Sequence, residues 1–261
     1  MEIRDLSFQY EKQLILKSIS APIQRGKITT IIGPNGCGKS TLFHLMTKNL
    51  KPLKGGIYLD NKNIKDIGLK DFSKKVAIVH QYNTAPRDIT VKTLVAYGRT
   101  PHLPFYRKIN EEDEAIIDWA MKITEIDKMK DREIVTLSGG QKQRVFIAMA
   151  LAQKTDILFL DEPTTYLDVR YQIQILDLIQ RLNKDFGMTI VMVLHDINQA
   201  ICYSDEIIGL KDGTIVVQGS TDRVINRKTL YDIFNIHLKV LKEKDRKYVV
   251  PVSEEKELLS G

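Results

Sequence analysis

The segment GPNGCGKS at positions 33 to 40 constrains the fold of this chain more than any other. It follows the apolar run from Ile28 to Ile32 and precedes TLFHLM, which suits a helix. A glycine-rich turn between a strand and a helix N-terminus lets backbone N–H groups surround phosphate oxygens, and the lysine adds a full positive charge. The segment therefore predicts a phosphate-binding loop in an α/β domain.

The side chains of this loop predict how it holds a nucleotide. Lys39 balances phosphate charge, and the Ser40 hydroxyl suits Mg²⁺, which takes only one or two protein oxygens. A nearby cation and a helix N-terminus predict a lowered pKa for Cys37, with ready alkylation that ATP prevents; an inert small residue is the alternative. The residues expected to contact the nucleotide are Gly33, Pro34, Asn35, Gly36, Cys37, Gly38, Lys39, Ser40 and Thr41.

Short apolar runs alternate with segments of helix length along most of the chain. Besides the run before the loop, they are Val76 to Val79, Ile157 to Leu160 and Thr189 to Leu194. Such alternation predicts a mostly parallel sheet packed between helices, with functional residues at the carboxyl ends of the strands.

Three regions depart from this alternation. Residues 1–25 have an alternating apolar pattern that predicts an antiparallel β layer. The pattern of residues 83–154 predicts a mainly helical insertion, with a helix cap at Asn110. The main domain would then span residues 1–225. The charged remainder, residues 226–261 with LKEKDRK at 241–247, predicts a small appendage or a frayed tail.

Two further segments have the residue types of phosphate chemistry. Asp161 and Glu162 end the apolar run ILFLDE, and adjacent strand residues point in opposite directions. One acid then suits the Mg²⁺ shell and the other the attacking water, although acids can simply terminate a strand. LSGGQ at 137–141 predicts a second phosphate-ready helix N-terminus, but Ser-Gly-Gly is also an ordinary helix-entry turn.

Composition narrows the class of protein without choosing a ligand. The sequence has no apolar stretch near the roughly 18 residues of a membrane-spanning helix and no apolar N-terminal signal, so we expect a cytoplasmic protein. Its two cysteines lack metal-site spacing, which makes a zinc site or a disulfide framework improbable. The net charge of +6 suits ATP, a membrane surface or nucleic acid, and solubility alone also explains it.

The order of the motifs resembles one known family. The chain contains, in order, Tyr10, GPNGCGKST, Gln81, LSGGQ, ILFLDE, PTTYLD and His195. This series is similar to that of the nucleotide-binding subunits of ABC transporters. The resemblance implies a P-loop NTPase (RecA-like) core, an N-terminal antiparallel β layer, an inserted helical subdomain, and ATP and Mg²⁺ as ligands. It also implies two copies packed head to tail, with each ATP between the phosphate loop of one copy and LSGGQ of the other.

The same resemblance implies a role for each matching residue. Tyr10 would stack on adenine, with a partly buried strand tyrosine as the alternative, and Gln81 would sense the metal. Glu162 would be the general base toward water. His195 would contact the γ-phosphate, although a histidine at a strand end is often scaffold. The implied catalytic residues are Lys39, Gln81, Glu162 and His195, and the implied metal residues are Ser40, Gln81 and Asp161.

Across the implied dimer, Asp168 would communicate with the second copy, or would only cap a helix. The residues implied to contact the second copy's nucleotide are Ser138, Gly139, Gly140 and Gln141.

A closer resemblance narrows the kind of transporter. VAYGRTPHLPF at 95–105 and HDINQA at 195–200 look like segments of the importer ATPases for ferric siderophores, haem and vitamin B12. This implies an ATPase that powers an importer, with iron-siderophore as the leading substrate and haem, cobalamin or an oxyanion as alternatives. Arg99 and His102 would couple to the permease, or would be solvated loop residues.

The implied partners are a second copy, permease subunits and, indirectly, an extracytoplasmic substrate-binding protein, but not nucleic acid. The implied location is the inner face of a bacterial or archaeal cell membrane. A soluble ABC protein acting on nucleic acid or ribosomes usually has tandem domains or long coiled coils, which this sequence lacks. A P-loop kinase or GTPase of another family would leave LSGGQ and His195 without a role.

Overall fold

The computed structural model describes residues 1–103, 108–244 and 246–251. The strands are β1 (Glu2–Tyr10), β2 (Gln13–Pro22), β3 (Ile28–Ile32), β4 (Lys54–Leu59), β5 (Lys62–Asn63), β6 (Val76–Val79), β7 (Ile157–Asp161), β8 (Thr189–Val193), β9 (Glu206–Lys211), β10 (Thr214–Ser220), β11 (Leu238–Glu243) and β12 (Arg246–Pro251). The α-helices are α1 (Lys39–Met46), α2 (Leu69–Ser73), α3 (Val91–Ala96), α4 (Glu111–Ile123), α5 (Gly139–Ala152), α6 (Val169–Phe186), α7 (Ile197–Tyr203), α8 (Thr221–Val224) and α9 (Arg227–Phe234).

The chain forms two compact units, and the first combines its two ends. This unit contains Met1–Asn61 and the described residues from Val193 onward. β1 pairs antiparallel with β2 and with β4, so that Ile3 lies opposite Ala21 on one side and Ile57 on the other. These three side chains are buried, which explains the alternating pattern of the first residues. The predicted antiparallel layer is confirmed.

The same unit contains the strand that leads into the phosphate loop. β3 pairs in parallel with β9, and β9 pairs antiparallel with β10. Every residue of β3 is buried, as expected for a strand covered on both faces.

The second unit is Lys62–Met192. β6 and β7 pair in parallel, with Ala77 opposite Leu158, and β8 is the next strand beside β7. β7 and β8 are fully buried. All four apolar runs predicted as strands form strands, and the α/β class with parallel pairing is confirmed.

Helices dominate the segment predicted as an insertion. Between positions 83 and 154 the described residues form α3, α4, α5 and short 3₁₀ turns, and no strand. α4 begins at the expected cap, because the Asn110 side chain accepts a hydrogen bond from the Asp113 N–H while Asp113 bonds back to the Asn110 N–H. The outer limits of the predicted ATPase domain stay a prediction.

In the C-terminal region, the described residues form a small ordered appendage, which is one of the two predicted alternatives. Most of LKEKDRK lies in an antiparallel hairpin of β11 and β12, in which Val240 lies opposite Val249. The terminal segment SEEKELLSG lies outside the described residues. Among the helices of the described ranges, none is long and apolar enough to cross a membrane.

Candidate active site

The phosphate loop lies between β3 and α1 in the first unit. Gly33 has a φ of 154°, and a Cβ built there would lie 2.2 Å from the Leu210 carbonyl oxygen and 2.7 Å from Cys37 Sγ. Gly38, the cap of α1, has a φ of 107°, and its Cβ would lie 2.7 Å from Leu16 Cδ2. Both positions therefore require glycine for conformation and for space.

Lys39 is held inside this loop. Its side chain is 5% exposed, and Nζ donates hydrogen bonds to the carbonyl oxygens of Gly33 (2.9 Å) and Pro34 (3.0 Å). A buried ammonium needs such acceptors, because an unpaired buried charge is costly. The positive charge of Lys39 therefore lies within the loop, where a group that balances phosphate charge is needed.

Cys37 does not have the lowered pKa predicted from the sequence. Its side chain is 3% exposed, and burial raises the pKa of the thiol above its ordinary value. The Lys39 charge and backbone N–H groups act in the opposite direction, but burial outweighs them. The predicted lowering of the pKa is therefore wrong, and the burial of Cys37 favours the alternative of an inert small residue.

In the second unit, β7 ends in the two acids singled out from the sequence. Asp161 is the last strand residue and is buried, whereas Glu162 lies beyond the strand with a φ of 48°. A left-handed conformation is uncommon for a residue other than glycine. The backbone turns at Glu162. This turn separates its carboxyl group from that of Asp161, in addition to the alternating direction of side chains along a strand.

Glu162 makes two hydrogen bonds that hold its carboxylate. Gln81 Nε2 donates to Glu162 Oε2 at 2.5 Å, and Thr165 Oγ1 donates to the same oxygen at 3.1 Å. Gln81 follows β6 and Glu162 follows β7, which are neighbouring parallel strands, so their carboxyl ends meet at one edge. The structure thus brings together two of the predicted catalytic residues.

A second contact links the same two segments. The hydroxyl groups of Tyr82 and Tyr166 lie 3.0 Å apart, although both rings are largely exposed. Tyr166 has a φ of 62°, which is strained for a bulky residue. The segment after β6 and the loop after β7 are therefore linked twice.

The LSGGQ segment forms the entry to α5. Ser138 Oγ accepts a hydrogen bond from the Gln141 N–H at 3.4 Å, and Gln141 Oε1 accepts one from the Ser138 N–H at 3.0 Å. A Cβ on Gly140 would lie 2.5 Å from the Tyr171 ring, whereas Gly139 has ordinary space. The helix-entry turn considered as the alternative is present, and the phosphate contact of Ser138 stays a prediction.

The remaining predicted nucleotide residues lie at the ends of elements. Tyr10 ends β1 and is 48% exposed, with its ring edge-on to Phe8 at 4.8 Å between centroids, so one surface is accessible for stacking. Asp168 caps α6 by accepting a hydrogen bond from the Tyr171 N–H at 3.1 Å, which is the helix-cap alternative. His195 is exposed and lies between β8 and Asp196, the N-cap of α7.

Arg99 and His102 belong to a short 3₁₀ helix, Tyr97–His102, and are not solvated loop residues. Arg99 is 6% exposed, pairs with Asp113 at 2.9 Å and donates to the Ala152 carbonyl at 2.8 Å. His102 Nε2 lies 2.7 Å from the Gln153 carbonyl oxygen. Buried in this way, Arg99 offers almost no surface to a permease, so any part in coupling would act through the position of the 3₁₀ helix. Positions 104 and 105 of the quoted motif lie outside the described residues.

The described residues include no cluster of three or more His, Cys, Asp or Glu side chains arranged to hold a metal ion. Mg²⁺ bound with a nucleotide does not need one, because phosphates and waters supply most of its ligands. The Ser40 hydroxyl at the first turn of α1 and the Asp161 carboxylate at the end of β7 are suitable oxygen donors. Each of these two groups is thus an oxygen donor of the type that Mg²⁺ binds, and their joint role at one ion stays a prediction.

A glycine loop between a buried strand and a helix, with an internal lysine, defines a P-loop nucleotide-binding protein. A family model described as ABC transporter matches residues 16–165. The chain belongs to the ABC transporter family as one of its ATP-binding proteins, and it is an ATPase.

Several curated proteins are similar to the chain over most of its length. It is 44% identical to the iron(3+)-hydroxamate import ATP-binding protein FhuC of Bacillus subtilis, over 92% of this chain and 90% of that protein. It is 39% identical to the petrobactin import ATP-binding protein FpuC of Bacillus anthracis, over 96% and 92%. It is 40% identical to the ferric enterobactin transport ATP-binding protein FepC of Escherichia coli, over 90% and 87%.

Solved structures have the same fold. An inward-facing putative metal-chelate type ABC transporter superposes with a TM-score of 0.83 at 25% identity, covering 98% of each chain. The dimeric bacterial ABC transporter cassette MJ0796 superposes with a TM-score of 0.71 at 30% identity, covering 84% of this chain and 98% of that chain.

Thr165 and the Tyr82–Tyr166 pair were not identified from the sequence as part of the site. A threonine and two tyrosines are common loop residues, and only the approach of the segments after β6 and β7 brings them together. In the sequence, only Tyr166 indicates such a contact, because it is a tyrosine between Thr165 and Leu167 in a sharp loop.

Proposed function

We propose that this chain is the ATP-hydrolysing subunit of an importer for iron-siderophore complexes. The proposed substrate class depends on the names of three relatives of similar identity to this chain: two are named for import of iron(3+)-hydroxamate and of petrobactin, and one for transport of ferric enterobactin. Because the chain is about equally related to all three, we propose for it only the substrate class that they have in common, which is ferric chelates, and not one particular ligand.

Two copies would act together, packed head to tail. Lys39 and the loop amides of one copy would hold the phosphates, and Ser138 with its following glycines would reach the same ATP from the other copy. The exposed position of Ser138 at the start of a 14-residue helix supports this arrangement. The adenine would stack on the exposed ring of Tyr10.

Glu162 would act as the general base toward the attacking water. Its carboxylate is held by Gln81 and Thr165, and a carboxylate has further acceptor sites for a water proton. His195 would contact the γ-phosphate. Phosphoryl transfer depends mainly on positioning and on charge stabilisation, and these side chains supply both. Ser40, Gln81 and Asp161 are the residues that would hold Mg²⁺, which would neutralise phosphate charge when it is bound.

The chain would work at the inner face of the cell membrane, bound to permease subunits. Gln81 connects the hydrolytic carboxylate to the helical segment through its position after β6. The 3₁₀ helix that contains the buried Arg99 is the part of this segment that we assign to coupling. An extracytoplasmic substrate-binding protein would deliver the chelate to the permease.

Uptake of radioactive iron tests the proposed substrate. In cells that lack this chain, uptake of ferric hydroxamate, petrobactin-type and catecholate chelates is measured after return of the wild type or of Glu162→Gln. We expect the wild type, and not the variant, to restore uptake of at least one chelate. Unchanged chelate uptake in the deleted cells, with loss of haem, cobalamin or molybdate uptake, would assign the chain to that substrate and overturn the proposal.

A further inference from the structure

The C-terminal hairpin of β11 and β12 has no part in the site described above, yet it is attached to the helix that follows His195. Its strands pair in register from Leu238 opposite Pro251 to Glu243 opposite Arg246. Leu238 and Val249 are buried. The hairpin is thus a packed element of the first unit.

Asn198, in the first turn of α7, makes the attachment. Its Nδ2 donates to the Val249 carbonyl oxygen at 3.0 Å, and its Oδ1 accepts from the Val249 N–H at 2.8 Å. An amide side chain has both a donor and an acceptor, and here both bind the backbone groups of one strand residue. A two-point contact of this kind fixes direction as well as distance.

The other end of α7 is linked to the hairpin through α8. Lys247 of β12 donates to the carbonyl oxygens of Asp222 (2.5 Å), in the first turn of α8, and of Ile225 (3.0 Å), the C-cap of α8. Thr221, at the start of α8, donates from Oγ1 to the carbonyl oxygen of Ser204 (2.8 Å), the C-cap of α7. The hairpin therefore restrains α7 at both ends.

α7 needs such restraint because it has only seven residues. Helices this short are not stable alone in water, so tertiary contacts set their position. His195 lies immediately before the N-cap of α7. On its other side, the Leu194 N–H donates to the Ile31 carbonyl oxygen at 3.4 Å. The position of the His195 backbone is therefore set by β3 on one side and by α7 on the other.

We propose that the C-terminal hairpin holds α7 so that His195 is placed for ATP hydrolysis, with Asn198 as the positioning residue. The inference rests on the proposed role of His195. It gives the appendage a function in turnover, in addition to its contribution to stability.

Steady-state ATP hydrolysis by the full chain tests this with Asn198→Ala, which removes both hydrogen bonds. We expect kcat to fall on the order of tenfold, because a displaced group costs turnover, while KM for ATP stays within about twofold. Hydrogen exchange of the Val249 amide should become faster in the same variant. Asn198→Asp keeps the acceptor for the Val249 N–H and loses the donor, so its loss of kcat should be smaller.

Lys242→Ala is the matched control, because Lys242 is an exposed residue of the same hairpin. Its kcat and the exchange of Val249 should equal those of the wild type. If Val249 exchange accelerates in Asn198→Ala and kcat stays unchanged, the proposal is overturned. Unchanged exchange in a folded Asn198→Ala protein would overturn it equally. If the alanine variant does not fold, an unchanged kcat in Asn198→Asp overturns the proposal instead.

The effect of Asn198→Ala in a His195→Ala background distinguishes a positioning role of Asn198 from a general effect on stability. In a His195→Ala background, Asn198→Ala should lower kcat no further, since the group that it positions is already absent. A full additional loss would show a structural role only and would contradict the inference. If His195→Ala itself leaves kcat at the wild-type value, the proposed role of His195 fails; if only Asn198→Ala does so, this inference alone fails.

Discussion

Gly33 shows at the residue scale how backbone geometry limits the phosphate loop. Gly33→Ala places a Cβ 2.2 Å from the Leu210 carbonyl oxygen at a φ of 154°. We expect a loss of about 3 kcal/mol or more in the free energy of unfolding, and weaker ATP binding, because strain of about 1–3 kcal/mol adds to the clash. Urea denaturation and nucleotide titration measure the two effects.

Gly187→Ala is the control for this substitution, because its φ of 65° is also positive but no atom lies within 4 Å of the added Cβ. Its cost should be only about 1–2 kcal/mol, with unchanged ATP binding. Equal costs at the two glycines would contradict the role assigned to the Leu210 contact.

Cys37 makes a second prediction at this scale. Because burial raises the pKa of its thiol, less thiolate is present at neutral pH and alkylation is slow, and the rate should increase as the pH rises toward that pKa. Cys202 is partly exposed. Maleimide labelling, followed by mass spectrometry at neutral pH, should therefore be slower in Cys202→Ser, which retains Cys37, than in Cys37→Ser. The reverse order would show that Cys37 is accessible.

At the scale of elements, the ion pair of Arg99 and Asp113 joins the 3₁₀ helix to α4. Asp113→Asn keeps the size of the side chain but leaves the buried guanidinium without a counter-charge. Breaking a buried pair in this way costs about 3–5 kcal/mol, so we expect a loss of that size in the free energy of unfolding from urea denaturation.

The adjacent residue provides the control. Glu114 pairs with Lys92 at 2.7 Å, but both side chains are more than one-third exposed. Glu114→Gln should therefore change the free energy of unfolding by less than about 1 kcal/mol. A similar loss in both variants would mean that burial does not distinguish the two pairs.

The elements also show what a sequence can predict. The sequence predicts four strands correctly, namely β3, β6, β7 and β8. Apolar runs of strand length that are bounded by polar residues seldom form any other structure. The hairpin of β11 and β12 was not predictable, because its charged residues indicate a solvated tail when read locally. Its order depends on Asn198 and on α8, which are distant in sequence. Arg99 was expected at the surface for the same reason, since its partner Asp113 lies fourteen positions away.

At the scale of the molecule, the motifs in their order predicted the family, the fold and the ATPase activity. The sequence could not predict how the site residues are held. Gln81 and Glu162 were assigned separately, and their hydrogen bond depends on the pairing of β6 with β7. The φ of 48° at Glu162 also follows from the loop as a whole and not from the residue type.

We propose that Glu162 is the base in ATP hydrolysis by this chain. Glu162→Gln keeps the size of the side chain and an oxygen that accepts from Gln81, but removes the basic carboxylate. ATP should therefore still bind, whereas Lys39→Ala should weaken binding itself.

The most direct test is the rate of phosphate release from saturating Mg-ATP by the wild type and by Glu162→Gln, with ATP binding measured in parallel. We expect measurable turnover by the wild type and a loss on the order of 10²-fold or more in the variant, with ATP affinity retained. Equal rates in the two proteins would contradict the proposal.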